Sequence, residues 1–185
     1  MMTIDKPSVA KVEIKKSQFI AHLIPIKIFD QYMQQLKEQN PKARHFVWAT
    51  RTLNEHKQIE EYCSDDGEPK NTSGKPTLKV LQGGDLIETA LITVRYFGGV
   101  KLGTGGLVRA YNQAGQEAVS AASLIDTDSL NTRTINIPYN QTRQIDYHIE
   151  KLELSVLSKD FDAETVTIKI QGESARLEEL HEKLK

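Results

Sequence analysis

The stretch Thr89-Ala-Leu-Ile-Thr-Val-Arg95-Tyr-Phe-Gly-Gly-Val-Lys101-Leu-Gly-Thr-Gly-Gly-Leu-Val-Arg109-Ala-Tyr111 decides the fold. Its first part, Thr89 to Phe97, is rich in β-branched and aromatic residues and predicts a central strand. Its second part opens a helix, with Thr104 as candidate cap and Leu107, Val108, Tyr111, Ala114, Ala118, Val119 and Ala122 spaced along one face. Gly98, Gly99 and Gly103 lie between them, and Gly105 and Gly106 follow the candidate cap. A strand, a glycine-rich loop and a helix in that order make an anion site, because free backbone N–H groups and the positive end of the helix face the loop.

Upstream, Ala10, Val12 and Ile14 alternate with Lys11, Glu13 and Lys15, the period of a half-buried strand, and Phe19 to Ile26 reads as its antiparallel neighbour. Ile28 to Gln39 carries Phe29, Tyr32, Met33 and Leu36 at helical spacing and stops at Asn40-Pro41. Two more strands follow, His45 to Thr52 and Ile59 to Cys63, joined by the turn Asn54-Glu55-His56. Thr72-Ser73 ahead of Pro76 predicts a capped helix that ends at Gly83-Gly84. Downstream, Asp126, Asp128 and Ser129 break the pattern, which divides the chain into residues 1–130 and 131–185. The second part reads as strand (Thr134 to Tyr139), helix (Gln141 to Lys151), strand (Leu152 to Ser158), strand (Glu164 to Gln171) and helix (Ser174 to Leu184). That βαββα order is a ferredoxin-like unit without its last strand.

Composition narrows the classes. The chain has 185 residues, 38% of them hydrophobic and 26% charged, the balance of an ordinary folded protein. Apolar runs such as Ala90-Leu91-Ile92 are far shorter than a membrane span, and the charges between Met1 and Lys16 do not suit a signal peptide. Cys63 is the only cysteine, so no internal disulfide forms and a reducing cytoplasm is the expected location. A net charge of −1 removes the simplest argument for nucleic-acid binding, so any such binding must use a local patch.

That patch is the glycine-rich segment. Between Glu88 and Glu117 the only charged side chains are Arg95, Lys101 and Arg109, while Tyr96, Phe97 and Tyr111 offer flat faces for stacking. The bland alternative is that the glycines permit a tight turn, the aromatics belong to the core and the cations form a solvated rim. Dinucleotide and P-loop motifs do not fit: Val108 stands where a third glycine belongs, and Pro69 and Pro76 occupy the P-loop's first glycine and its metal-binding hydroxyl position. A second patch, Asp65, Asp66, Gly67 and Glu68 with Lys75, offers carboxylates for acid-base work or a cation. The same residues build tight turns, and that reading stands ahead. His22, His45, His56, His148 and His181 show no ligand-like spacing, so no metal site is expected.

Ser64-Asp65-Asp66-Gly67-Glu68-Pro69, Gly74-Lys75-Pro76 and the Arg95 to Tyr111 segment together resemble the signature of the YigZ/IMPACT family. Glu13, Lys15-Lys16-Ser17, Phe19-Ile20-Ala21, Ala43, His45 and Ala49 extend the resemblance, and Asn71 departs from it where a glycine is expected. The resemblance implies an α+β protein. Its first domain would have the two-layer α/β fold of a small-subunit ribosomal protein and a translocating elongation factor, and its smaller second domain would be ferredoxin-like. It also implies RNA or ribosome binding. Eukaryotic relatives regulate translation through a protein partner, but with a different additional domain. The expected function is therefore non-enzymatic RNA-binding or translation-associated regulation. Arg95, Tyr96, Phe97, Gly98, Gly99, Lys101, Gly103, Thr104, Gly105, Gly106, Arg109 and Tyr111 would form its surface, without a cofactor and away from membranes. The alternatives are a nucleotide- or phosphate-binding enzyme that adds the acidic turn, and a protein-interaction module.

Overall fold

Five stretches with β-branched and alternating apolar residues pair into one antiparallel sheet in the computed structural model, which describes residues 1–184. They are β1 (Ser8–Ile14), β2 (Ser17–Pro25), β3 (His45–Leu53), β4 (Ile59–Ser64) and β5 (Thr89–Tyr96), in the order β1-β2-β5-β3-β4. β5 is central and almost wholly buried, with Leu91 covered on one face and Ala90, Ile92 and Val94 on the other.

Period-2 alternation sends neighbouring residues to opposite faces. Phe19, Ala21, Leu23, Val47, Ala49 and Leu91 pack on one side against α2 (Gly74–Gly83) and α3 (Gly103–Ser120), through Val80, Leu81, Leu107, Tyr111, Ala114 and Ala118. Ile24, Phe46, Ile92 and Val94 pack on the other side, where α1 (Phe29–Gln39) contributes Phe29, Tyr32, Met33 and Leu36. α3 differs in detail from its expected face: Val108 is exposed, whereas Ala110 and Gly115 are buried. The close packing holds position 115 to glycine, since a Cβ there would lie 2.8 Å from a Leu91 methyl.

The chain divides into two compact units after Ile125. The second unit comprises β6 (Leu130–Pro138), α4 (Thr142–Lys151), β7 (Ser155–Phe161), β8 (Thr165–Glu173) and α5 (Ser174–Lys183). Its antiparallel strands run in the order β6-β8-β7. Ile137, Ile145, Ile149, Val166, Ile168, Ile170, Leu177 and Leu180 form its core. Among the described residues, no helix is long and apolar enough to cross a membrane.

A half-buried, pH-sensitive histidine lies between β2 and α1 of the first unit. His22 on β2 places Nδ1 3.1 Å from the Tyr32 hydroxyl of α1, and burial lowers its pKa from 6.5 to about 4. The folded state therefore keeps the ring neutral, while the unfolded chain takes up a proton below pH 6.5. Stability from this site is fully present above pH 6.5 and is lost as pH falls towards about 4. Denaturant unfolding across that window is expected to show a proton-linked loss of stability that His22→Gln removes; parallel curves for the two proteins would contradict it.

Candidate functional site

The turn between β1 and β2 contains only Lys15 and Lys16, since Ile14 and Ser17 are already paired across the ladder. Both lysines have left-handed backbones, with φ of 48° and 65°. A two-residue turn of this kind matches the twist of its strands and is ordinarily filled by Asn-Gly. Two lysines there cost roughly 1–2 kcal/mol each in backbone strain.

The glycine-rich loop leaves the end of β5 beside this turn, because Gln18 pairs with Tyr96. The Gly98 N–H donates to Ser17 Oγ (3.0 Å). A Cβ on Gly98 would lie 2.1–2.5 Å from backbone atoms of Lys16 and Ser17, so only glycine fits. Gly99 and Gly103 have φ of +87° and +71°, which glycine adopts without strain. Gly105, exposed in the first turn of α3, has neither requirement: nothing lies within 4 Å of a Cβ built there. α3 starts at Gly103, with Leu102 at the cap position and no side-chain cap, so Thr104 does not act as the cap.

The two ends of the Arg95 to Tyr111 segment meet at one carboxylate. Glu68 Oε1 accepts from Arg95 Nη1 (2.5 Å) and from the Tyr111 hydroxyl (2.7 Å). Arg95 is only 6% exposed and Tyr111 0%, so neither offers the phosphate contact or stacking face expected of it. Phe19 stands edge-on to Tyr111 at 5.1 Å, and the Arg95 guanidinium lies over Phe19 at 5.4 Å. Burial, then the Glu68 charge, pushes the Tyr111 hydroxyl far above its ordinary range, so it serves as a permanent donor. Tyr96 is also occupied, donating to Asn40 Oδ1 at 2.6 Å and packing against the α1 side of the sheet.

The acidic turn is a set of braces. Asp65 caps α2, accepting from the N–H groups of Ser73 and Gly74, the Ser73 hydroxyl and the Asn71 N–H at 2.8–3.1 Å. Burial alone would raise its pKa, but these hydrogen bonds outweigh it and leave the carboxyl below its usual value. The cap expected from Thr72-Ser73 is therefore supplied by a carboxylate eight residues before Ser73. Asp66 Oδ2 accepts from the Phe46 N–H (2.6 Å), and its carbonyl lies 2.8 Å from His45 Nδ1. Gly67 has a φ of +84° with the His45 ring beside it. Asp65, Asp66 and Glu68 are thus each engaged by protein donors. In the second patch the carboxylates brace the scaffold, and Lys75 is an exposed cation in the first turn of α2. Asn71 has a φ of 63°, and asparagine is the non-glycine residue that best tolerates that region. Burial, then the Asp65 charge, pushes the Cys63 thiol up.

What remains exposed is Phe97, Gly99, Val100, Lys101, Gly103, Thr104, Gly105, Val108 and Arg109, together with Lys15 and Lys16. Among the described residues, no carboxylate forms an ion pair with Lys15, Lys16, Lys101 or Arg109. The two turn lysines escaped the sequence reading as site residues, although a two-residue Lys-Lys hairpin turn was a usable signal.

These features define a two-domain α+β protein whose first unit carries a braced glycine-rich loop between a central strand and a core helix. The chain belongs to the IMPACT family: the Impact N-terminal domain matches residues 15–119, from the β1–β2 turn to the last turn of α3. It is 39% identical over 157 residues to an IMPACT family member of Haemophilus influenzae, covering 82% of this chain and 75% of that one. It is 32% identical over 177 residues to the IMPACT family member YigZ of Escherichia coli, covering 93% and 85%. A crystal structure of a hypothetical protein aligns over 99% of this chain and 90% of its own, with a TM-score of 0.61 and 29% identity.

Glu68→Gln would leave Arg95 without its counter-charge in a buried site, which typically costs about 3–5 kcal/mol. Tyr111→Phe loses one hydrogen bond to a carboxylate, about 1.5–3 kcal/mol. Denaturant unfolding is expected to rank the first variant as the more damaging; an unchanged Glu68→Gln midpoint would contradict the assigned pairing. Gly98→Ala is expected to lower the thermal midpoint markedly, whereas Gly105→Ala leaves it unchanged or raises it.

Proposed function

We propose that this protein binds RNA, as a translation-associated regulator, through the cationic end of its first unit: Lys101 and Arg109 on the glycine-rich loop and α3, and Lys15 and Lys16 on the adjoining turn. The observation that carries the reading is the turn itself. Strain at a lysine pair that Asn-Gly would relieve has an account if the two charges are used, and the inference runs from the outlier to the role. Its support is local: four exposed cations without acidic partners at one end of the sheet, beside the uncapped first turn of α3, in a protein whose net charge is −1. Phosphates are the ligand such an array suits. The fold type that the family resembles, found in a ribosomal protein and an elongation factor, makes ribosomal RNA the first RNA to try. That step is analogy.

The nucleotide-processing alternative needed Asp65, Asp66 or Glu68 as acid, base or metal ligand, and those carboxylates are spent on α2, β3 and Arg95. RNA binding makes no such demand.

Two variants test the reading by co-sedimentation with ribosomes and filter retention of ribosomal RNA across a salt series. Lys101→Glu with Arg109→Glu is expected to abolish retention. Lys15→Asn with Lys16→Gly is expected to stabilise the protein by about 1–2 kcal/mol or more while weakening RNA binding and lowering the salt slope by about 0.7–0.9 for each phosphate no longer neutralised. Retention unchanged in both variants would falsify the proposal.

A further inference from the structure

Of the three aromatic side chains in the glycine-rich segment, the fold commits two to the interior. Tyr111 is bound to Glu68 and Tyr96 to Asn40. Phe97 is left 57% exposed directly after β5 ends. An exposed phenylalanine beside a mobile loop would mean little, but this one is held. Its ring lies against the Arg95 guanidinium, with Cζ 5.8 Å from the ring centroid, within the range of a cation–π contact. Arg95 is itself fixed by Glu68 and by the Phe19 ring. On the other side, Gly98 is pressed onto the backbone of Lys16 and Ser17. Residues on both flanks of Phe97 are therefore anchored, and the ring is pre-positioned at the junction between the lysine turn and Lys101.

From this geometry we infer that Phe97 is a stacking platform for one unpaired base, so that the RNA bound at this end is single-stranded: a loop, bulge or end whose flanking phosphates are held by Lys16 and Lys101. The inference rests on the RNA reading above and specifies its substrate class. A base in a continuous duplex has no free face to present, whereas an unstacked base has one, and each side chain in the array suits one part of such a ligand. Cations take the backbone, and the flat apolar ring takes the base. A ring already fixed by Arg95 loses little freedom when the base arrives, which favours binding over an equally exposed but mobile aromatic.

Direct binding of labelled single-stranded and duplex RNA of equal length, by fluorescence anisotropy, separates this inference from the reading beneath it. Phe97→Ala is expected to weaken single-strand binding roughly 5- to 100-fold, the equivalent of one stacked base, with duplex binding and the salt slope unchanged. Phe97→Trp is expected to restore the affinity, and Phe97→Leu, which keeps apolar bulk without a π face, is not. Circular dichroism melts of the three variants, whose side chain is largely solvent-exposed, are expected to match the parent. If the parent binds neither RNA, the RNA-binding proposal itself fails. If it binds single strands and loses them on Lys101→Glu with Arg109→Glu but not on Phe97→Ala, only the platform is overturned. Equal loss of duplex and single strands in Phe97→Ala overturns the base-stacking role as well.

Discussion

The Glu68 carboxylate, buried between the Arg95 guanidinium and the Tyr111 hydroxyl, is the constraint on which the working end of the protein depends. It reaches from the acidic turn to the last strand residue but one of β5 and to the third turn of α3, and so closes the glycine-rich loop at both ends. An ion pair in such a place is a poor source of net stability, because desolvating the two charges offsets most of their attraction. Its effect is geometric. With Arg95 neutralised and fixed, β5 delivers Phe97 in one position; with Tyr111 held, the first turn of α3 is aimed at the loop it follows.

The rest of the acidic turn extends the same brace. Asp65 satisfies the orphan N–H groups at the start of α2, a need every helix has and which its own cap residue does not meet here. Asp66 ties the start of β3 to the turn. Three adjacent strand ends, the start of α2 and the third turn of α3 are thereby joined through one six-residue segment, and Gly98 adds the β1–β2 turn by direct backbone contact. The acidic turn does structural work, and the surface it leaves exposed on the glycine-rich segment is positive.

Much of this was legible in the residues. Period-2 and period-3.6 patterns located the strands and helices to within a few residues, because apolar burial on one face is a local requirement that the sequence must write out. The glycines of the Gly98–Gly106 loop marked one place where the backbone is under demand, at Gly98, Gly99 and Gly103, while the left-handed Lys15 and Lys16 lie outside it. The cap of α2 was not legible: Ser73 has the right type and place, but a carboxylate distant in sequence competes for the same N–H groups and wins. Val108 was misplaced for a related reason, since helical spacing defines a face only to within the width of one side chain.

Site residues divided along the same line. Sequence alone established which chemical groups the glycine-rich segment holds: cations without acids, aromatics, and a backbone free to approach an anion. It could not say which of them face outward. Arg95, Tyr96 and Tyr111 carry the same kinds of functional group as Lys101, Arg109 and Phe97, and whether each is ligand-facing or interior depends on partners contributed by Glu68 and Asn40, at sequence separations of 27 to 56 residues. Likewise, Lys15 and Lys16 look like an ordinary charged turn until their left-handed backbones and the approach of Gly98 are seen. Burial pattern and residue chemistry are written locally and can be read from the chain. Exposure at a site follows from long-range pairing, which only the tertiary structure decides.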